Sequence, residues 1–166
     1  MKWNRFYFPT LLILIASWIA CTALVDFAVV PTLFLNMGNF FEAGEMGILL
    51  FTKFNMVEVV IASALLGLSW LSLFHGNRTS KIVFIVSLFL WIIVMLYISY
   101  LTPSITKLTI LWKQAEAIGA QGINGYADIQ QAHQSQHRLY IFFDSLKLLL
   151  LVFLLGFTIT KEEKLR

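Results

Sequence analysis

The chain has 166 residues, 59% of them hydrophobic and 13% charged, with a formal net charge of +3. That balance is too apolar for an ordinary water-soluble domain and places the chain in a membrane. The small positive charge sits mostly in the flanks of the apolar runs, so it reads as a topology signal and contact with anionic lipid, not as a nucleic-acid footprint. A single cysteine, Cys21, excludes an intramolecular disulfide.

Four runs are long enough to cross a hydrocarbon core, which takes about 20 apolar residues: 8–35, 46–74, 82–101 and 139–160. The first follows Lys2 and Arg5 as a secretory signal would, and Trp18-Ile19-Ala20-Cys21 faintly resembles a lipoprotein cleavage box. The apolar run nevertheless continues through ALVDFAVVPTLF, and Trp18 stands where a small aliphatic residue is expected, so the segment reads as a retained helix. NMGNFFEAGEM, with Glu42, Glu45 and no cation, connects it to the second span. FHGNRTSK, with His75, reads as a turn before the third.

A closed barrel would need alternating segments of about 10 residues, and ILLFTKFNMVEVVIASALLGLSWLSLF shows no alternation. The expected fold is therefore all-α: a polytopic membrane protein, one four-transmembrane-helix bundle without internal repeats. Lys2, Arg5, Arg78, Lys81, Lys161, Lys164 and Arg166 share one side if the chain starts inside. The positive-inside rule makes that side cytoplasmic, with both termini there, in the cytoplasmic (inner) membrane.

Between the third and fourth spans, SITKLTILWKQAEAIG has helical spacing, glycines punctuate it at Gly119, Gly122 and Gly125, and YADIQQAHQSQHRLY resumes it. Helices three and four are thus expected to continue beyond the outer surface as a hairpin over 104–138. Pro103 is expected to kink or break helix three, and Pro31 helix one near its end.

Ionisable side chains inside a span cost at least about 2.5–3.5 kcal/mol near a helix centre, so each requires a partner or a purpose. Asp26, Lys53, Glu58, Asp144 and Lys147 all fall between the middle and the outer surface. This shared depth points to an outer-half pocket lined by Asp26, Asn55, Glu58, Tyr140 and Asp144, with His137 above it. Thr52, Asn55 and Glu58 follow one face of helix two, and Ser63 with Gly67 offers a small-residue pair for close helix contact.

Two accounts fit these residues. In the structural one, Asp144 and Lys147 neutralise each other three residues apart, Lys53 snorkels outward, and Asp26 and Glu58 are packing glue. In the functional one, the pocket binds an ion or small polar ligand in a transport or homeostasis role. His133 and His137, at i and i+4, are candidate ligands for a divalent metal ion, with Asp144, Glu58 or Asp26 completing the shell. The same histidines in HQSQH also suit a solvated helix face. Both lie on one helix, which disfavours bis-histidine haem.

The sequence carries no phosphate loop, nucleophile elbow or HExxH, so no enzyme is expected. The alternative function is a non-catalytic accessory subunit, docked on a larger membrane complex through the hairpin from Ser104 to Arg138 with Trp112 and Tyr126. The bilayer itself and a homo-oligomer are the other candidate partners.

FAVVPTLF, EAGEMGILLFTKF, YLTPSITKL and HRLYIFFDSLKLLLL together resemble the transmembrane protein 205-like family of small four-helix membrane proteins of unknown function. The resemblance spans nearly the whole chain. It implies special roles for Pro31 and Phe34, for Pro103, and for His137 with Arg138. It also implies a transport-related role, because members have been linked to metal-drug resistance. Tyr140 and Asp144 stand where that family often has serine and asparagine, which adds a charge to the pocket.

Overall fold

The computed structural model describes residues 2–74, 78–119 and 125–163; His75 lies outside them. They form four long helices: α1 over residues 2–36, α2 over Phe40–Leu73, α3 over residues 78–117 and α4 over Tyr126–Glu163. All four are long and apolar enough to cross a membrane. The protein is an all-α, multi-pass bundle, and no strand occurs among the described residues.

Buried residues recur at spacings of three and four. They are Leu11, Ile15, Trp18, Thr22 and Val25 on α1, and Asn55, Glu58, Ala62, Leu65, Ser69 and Ser72 on α2. On α3 they are Ser80, Val83, Ser87, Leu90, Val94, Tyr97, Leu101 and Ile105, and on α4 Lys147, Leu151, Leu154 and Thr158. This is the narrow seam of a bundle whose helices pack knobs into holes. Each helix leaves the rest of its circumference apolar and turned outward, as in Phe27, Leu49, Val60, Phe89 and Leu149. Lipid covers such a surface at no cost, so the seam can carry serine, threonine and asparagine as interhelical glue.

Each helix packs on its two neighbours in the order α1–α2–α3–α4 around a square. Two cores fill the interior. One, around Leu11, Trp18, Leu65, Leu90 and Leu154, occupies the half that carries the chain ends. The other, around Tyr97, Leu101, Ile105 and Tyr140, lies toward the 37–39 and 118–125 connections.

Neither Pro31 nor Pro103 breaks its helix. In α1 a π-helical turn at Val25–Val29 precedes Pro31, and in α3 another at Tyr97–Leu101 precedes Pro103, in the same register. Each turn is closed by an i+5 bond: the Val30 N–H donates to the Val25 carbonyl, and the Thr102 N–H to that of Tyr97. Proline has no N–H and its ring crowds the carbonyl four residues back. One extra residue in the turn takes up that crowding, so the chain runs on. Asp26 lies in the first π-turn and Tyr97 opens the second.

The helices outrun the expected spans. Asn39 caps α2, its side chain accepting from the Phe41 N–H at 3.0 Å, so FEAGEM is the first turn and a half of a helix instead of a connection. With 38 residues, α4 is roughly 57 Å long at 1.5 Å per residue, against a hydrocarbon core of about 30 Å. Gly119, just past the end of α3, and Gly125, just before α4, have φ values of 69° and 104° that suit glycine. The small-residue pair is corrected in part: Gly67 is exposed and a Cβ on it would meet nothing within 4 Å, whereas Ser63, though exposed, accepts from Trp91 Nε1 of α3 at 3.2 Å. Spacing alone marked their common face without saying which way it turned.

Candidate functional site

At the middle of the bundle the polar seam residues meet across its diagonal. Lys147 of α4 is 1% exposed, and its Nζ lies 2.7 Å from Glu58 Oε1 on α2 and 2.6 Å from Asp144 Oδ1. The ammonium also sits 5.3 Å above the Tyr97 ring, a cation–π contact in a water-poor interior. Glu58 is fully buried and accepts a second bond from Trp18 Nε1 at 2.8 Å and a longer one from Thr22 Oγ1 at 3.4 Å. Glu58 Oε2 has no hydrogen-bond partner among the described residues.

A second layer lies one turn nearer the connections. Tyr140 OH donates to Asn55 Oδ1 at 3.1 Å, and Asn55 Nδ2 donates to Thr102 Oγ1 at 2.9 Å. Tyr140 stacks on Tyr97 with ring centroids 4.5 Å apart, and Tyr97 OH reaches Asp144 Oδ1 at 3.5 Å. Asp26, carried by the π-turn of α1, lines the same cavity as Asp144. All four helices thus contribute to one network, and three carboxyl groups gather around one ammonium.

Beyond Asp26 and Asp144 opens a cavity of about 600 Å³ between the four helices, within the range of small-molecule sites. Its walls include Phe27, Phe34, Phe41, Ile48, Phe51 and Ile105, with Tyr140 beside them and Trp112, His133 and His137 toward the connections. Gly44 and Gly47 line it, and a Cβ on either would enter open space.

Of the residues singled out in the sequence, Asp26, Asn55, Glu58, Tyr140 and Asp144 come together. Thr52 does not join them; its hydroxyl bonds the Ile48 carbonyl of its own helix at 2.7 Å. Lys53 is exposed, apart from the cluster. His133 and His137 are parallel, with centroids 6.3 Å apart, and Trp112 stands 5.3 Å from His133. The metal shell is corrected: among the described residues no three of His, Cys, Asp and Glu gather as a metal site. Asp144 is two turns from His137 along α4 and is held by Lys147, so the carboxylates and imidazoles do not converge.

Spacing along the chain did not single out Trp18, Thr22, Tyr97 or Thr102. Trp18 and Thr22 continue the seam of Leu11 and Ile15 at intervals of four, three and four, a signal that was present in the sequence. Trp112 and Tyr126, candidates for docking a partner, bond each other, Nε1 donating to OH at 2.8 Å, and Trp112 packs on Phe41 at 5.3 Å. Nearby, Lys113 and Glu45 form a half-exposed ion pair at 2.6 Å.

Set against protein-family models, curated proteins and solved structures, the chain matches none of them. The chemistry of the site is read from its geometry.

Proposed function

We propose that this protein is a non-catalytic binding protein of the cytoplasmic membrane, with both termini cytoplasmic, that holds an ion or small ligand in a transport or homeostasis role. One observation carries the reading: two carboxyl groups, Asp26 and Asp144, line one cavity of about 600 Å³ to whose walls all four helices contribute. Packing glue alone accounts for the Glu58–Lys147 tie, but it does not call for a void lined by Asp26 and Asp144 beside it. The resemblance to the transmembrane protein 205-like family, with its transport-related associations, agrees with this proposal.

Native mass spectrometry of the protein extracted in mild detergent tests it. A small molecule retained at one per chain by the native protein, and lost when Gly47→Leu fills the cavity, is the expected result. Retention by both forms, or by neither, would count against the reading. Stoichiometric co-purification of other membrane proteins without any small ligand would favour the accessory-subunit alternative.

A further inference from the structure

The cavity is open on one flank. The first part of α1, Lys2–Leu24, packs on both α2 and α4, whereas past the π-turn Val30–Asn36 packs, among the described residues, on α2 alone of the neighbouring helices. Helices α1 and α4 therefore separate over the half of the bundle that carries the connections. Phe27 of α1 and Ile141 of α4 line the cavity, yet they are 74% and 51% exposed. Residues that face a cavity and the surface at once mark its mouth, which here lies between these two helices.

That mouth lies at membrane depth. Leu148 is the lining residue of α4 farthest from the connections, and counted from Lys161 in the last turn it lies roughly 20 Å in at 1.5 Å per residue. This is near the midplane of a bilayer about 40–45 Å thick with its headgroups. From Leu148 to His133 the cavity follows α4 for roughly 22 Å more, the depth of one leaflet with its headgroup layer. The lining is overwhelmingly apolar, and Asp144 is already held by Lys147 and reached by Tyr97 OH. A dry void of about 600 Å³ would forfeit contacts along its whole length, and water inside it would find few polar partners. Hydrocarbon stands at the open flank.

Resting on the reading that the cavity holds a small ligand, we infer that this ligand is a membrane lipid, one of whose hydrocarbon chains enters sideways between α1 and α4 and lies along the cavity from the headgroup layer to the midplane. Phe51, Ile105 and Tyr140 flank the chain, and Trp112, His133 and Gln134 stand at the level of its polar head, where amphipathic side chains gather. Spread over so long a path, the volume of the cavity suits one slender chain and not a compact molecule. Asp26 and Asp144 border the deep part, so a seated chain closes the way to the buried cluster behind them. Lipid tails and helix surfaces are equally apolar. What favours the seated chain over one in the surrounding bilayer is contact with protein on several sides at once.

The probe is phosphatidylcholine with a diazirine midway along one acyl chain, added to phosphatidylcholine vesicles that hold the full-length protein. After irradiation, peptide mass spectrometry reads which residues the chain touched. Outward-facing Phe89 and Leu149 report the surrounding bilayer, while Ile105, Thr109 and Tyr140, buried among the helices and lining the cavity, report a seated chain. Both sets are expected to carry label in the native protein, and the buried set alone is expected to lose it in Gly47→Leu. Gly44→Leu, which also places its side chain in the open space of the cavity, is the second variant. Label confined to outward-facing residues in the native protein, or label on the buried set that persists in both variants, would overturn the inference. If native mass spectrometry then still finds one small molecule retained per chain, the cavity reading stands without the lipid; if it finds none, both fall.

Discussion

Replacing Lys147 with methionine keeps much of the side chain's length and volume and removes the ammonium that Glu58 and Asp144 share at 2.7 and 2.6 Å. Lys147 and Glu58 are essentially inaccessible, at 1% and 0% side-chain exposure. Solvent screening therefore cannot rescue the remaining carboxylates. Breaking a buried pair from one side costs about 3–5 kcal/mol, because the partner stays buried and uncompensated, whereas an exposed pair is worth about 0–1 kcal/mol. For a chain of this length that corresponds to a fall in Tm of roughly 10 °C. Lys147→Met together with Glu58→Gln removes the stranded charge and is expected to recover about half of the loss or more, a coupling of the size seen between contacting residues. Thermal unfolding in detergent followed by near-UV circular dichroism measures all three forms. If the single variant melts with the native protein, or the double variant melts below the single, the buried tie is not what holds the diagonal of the bundle.

Other substitutions probe the neighbouring layers. Tyr140→Phe keeps the stack on Tyr97 but loses the bond to Asn55, and should cost about 1 kcal/mol in the same melts. Thr102→Val leaves the buried Asn55 amide without its acceptor and should cost about 1–3 kcal/mol; a neutral result would mean that Asn55 finds another partner. Gly47→Ala places a methyl group in open space and improves helix propensity, so it is expected to raise stability by up to about 1 kcal/mol, with a lowered Tm contradicting the void. Lys113→Ala removes a half-exposed pair and should change stability by less than about 1 kcal/mol, which separates surface ion pairing from the buried tie.

The likeness of the two π-turns bears on how the site is built. Val25–Val29 and Tyr97–Leu101 each end two residues before a proline, and each supplies a member of the network, Asp26 or Tyr97. An extra residue in a turn rotates one half of the helix by about 100° against the other, relative to an unbroken α-helix. Moving the prolines would therefore re-aim Asp26 and Tyr97 as well as straightening the helices. Proline was legible in the sequence as a disturbance. Its form, a widened turn and not a break, depended on neighbouring helices holding both halves in line.

By itself the sequence determined what depends on distance along the chain. Run length set four membrane-crossing helices, and counting from their ends set the shared depth of Asp26, Glu58, Asp144 and Lys147. Periods of three and four told which residues share a face, as with Tyr140, Asp144 and Lys147. The tertiary structure decided what depends on the order and rotation of helices around the bundle axis, which no single helix encodes. Asp144 and Lys147 do pair as their spacing suggested, but Lys147 also crosses the diagonal to Glu58, 89 residues away in the chain. The same rotation turned Gly67 outward and brought Trp18 onto Glu58. It also kept the histidines from the carboxylates and left a cavity lined by Asp26 and Asp144 among the four helices.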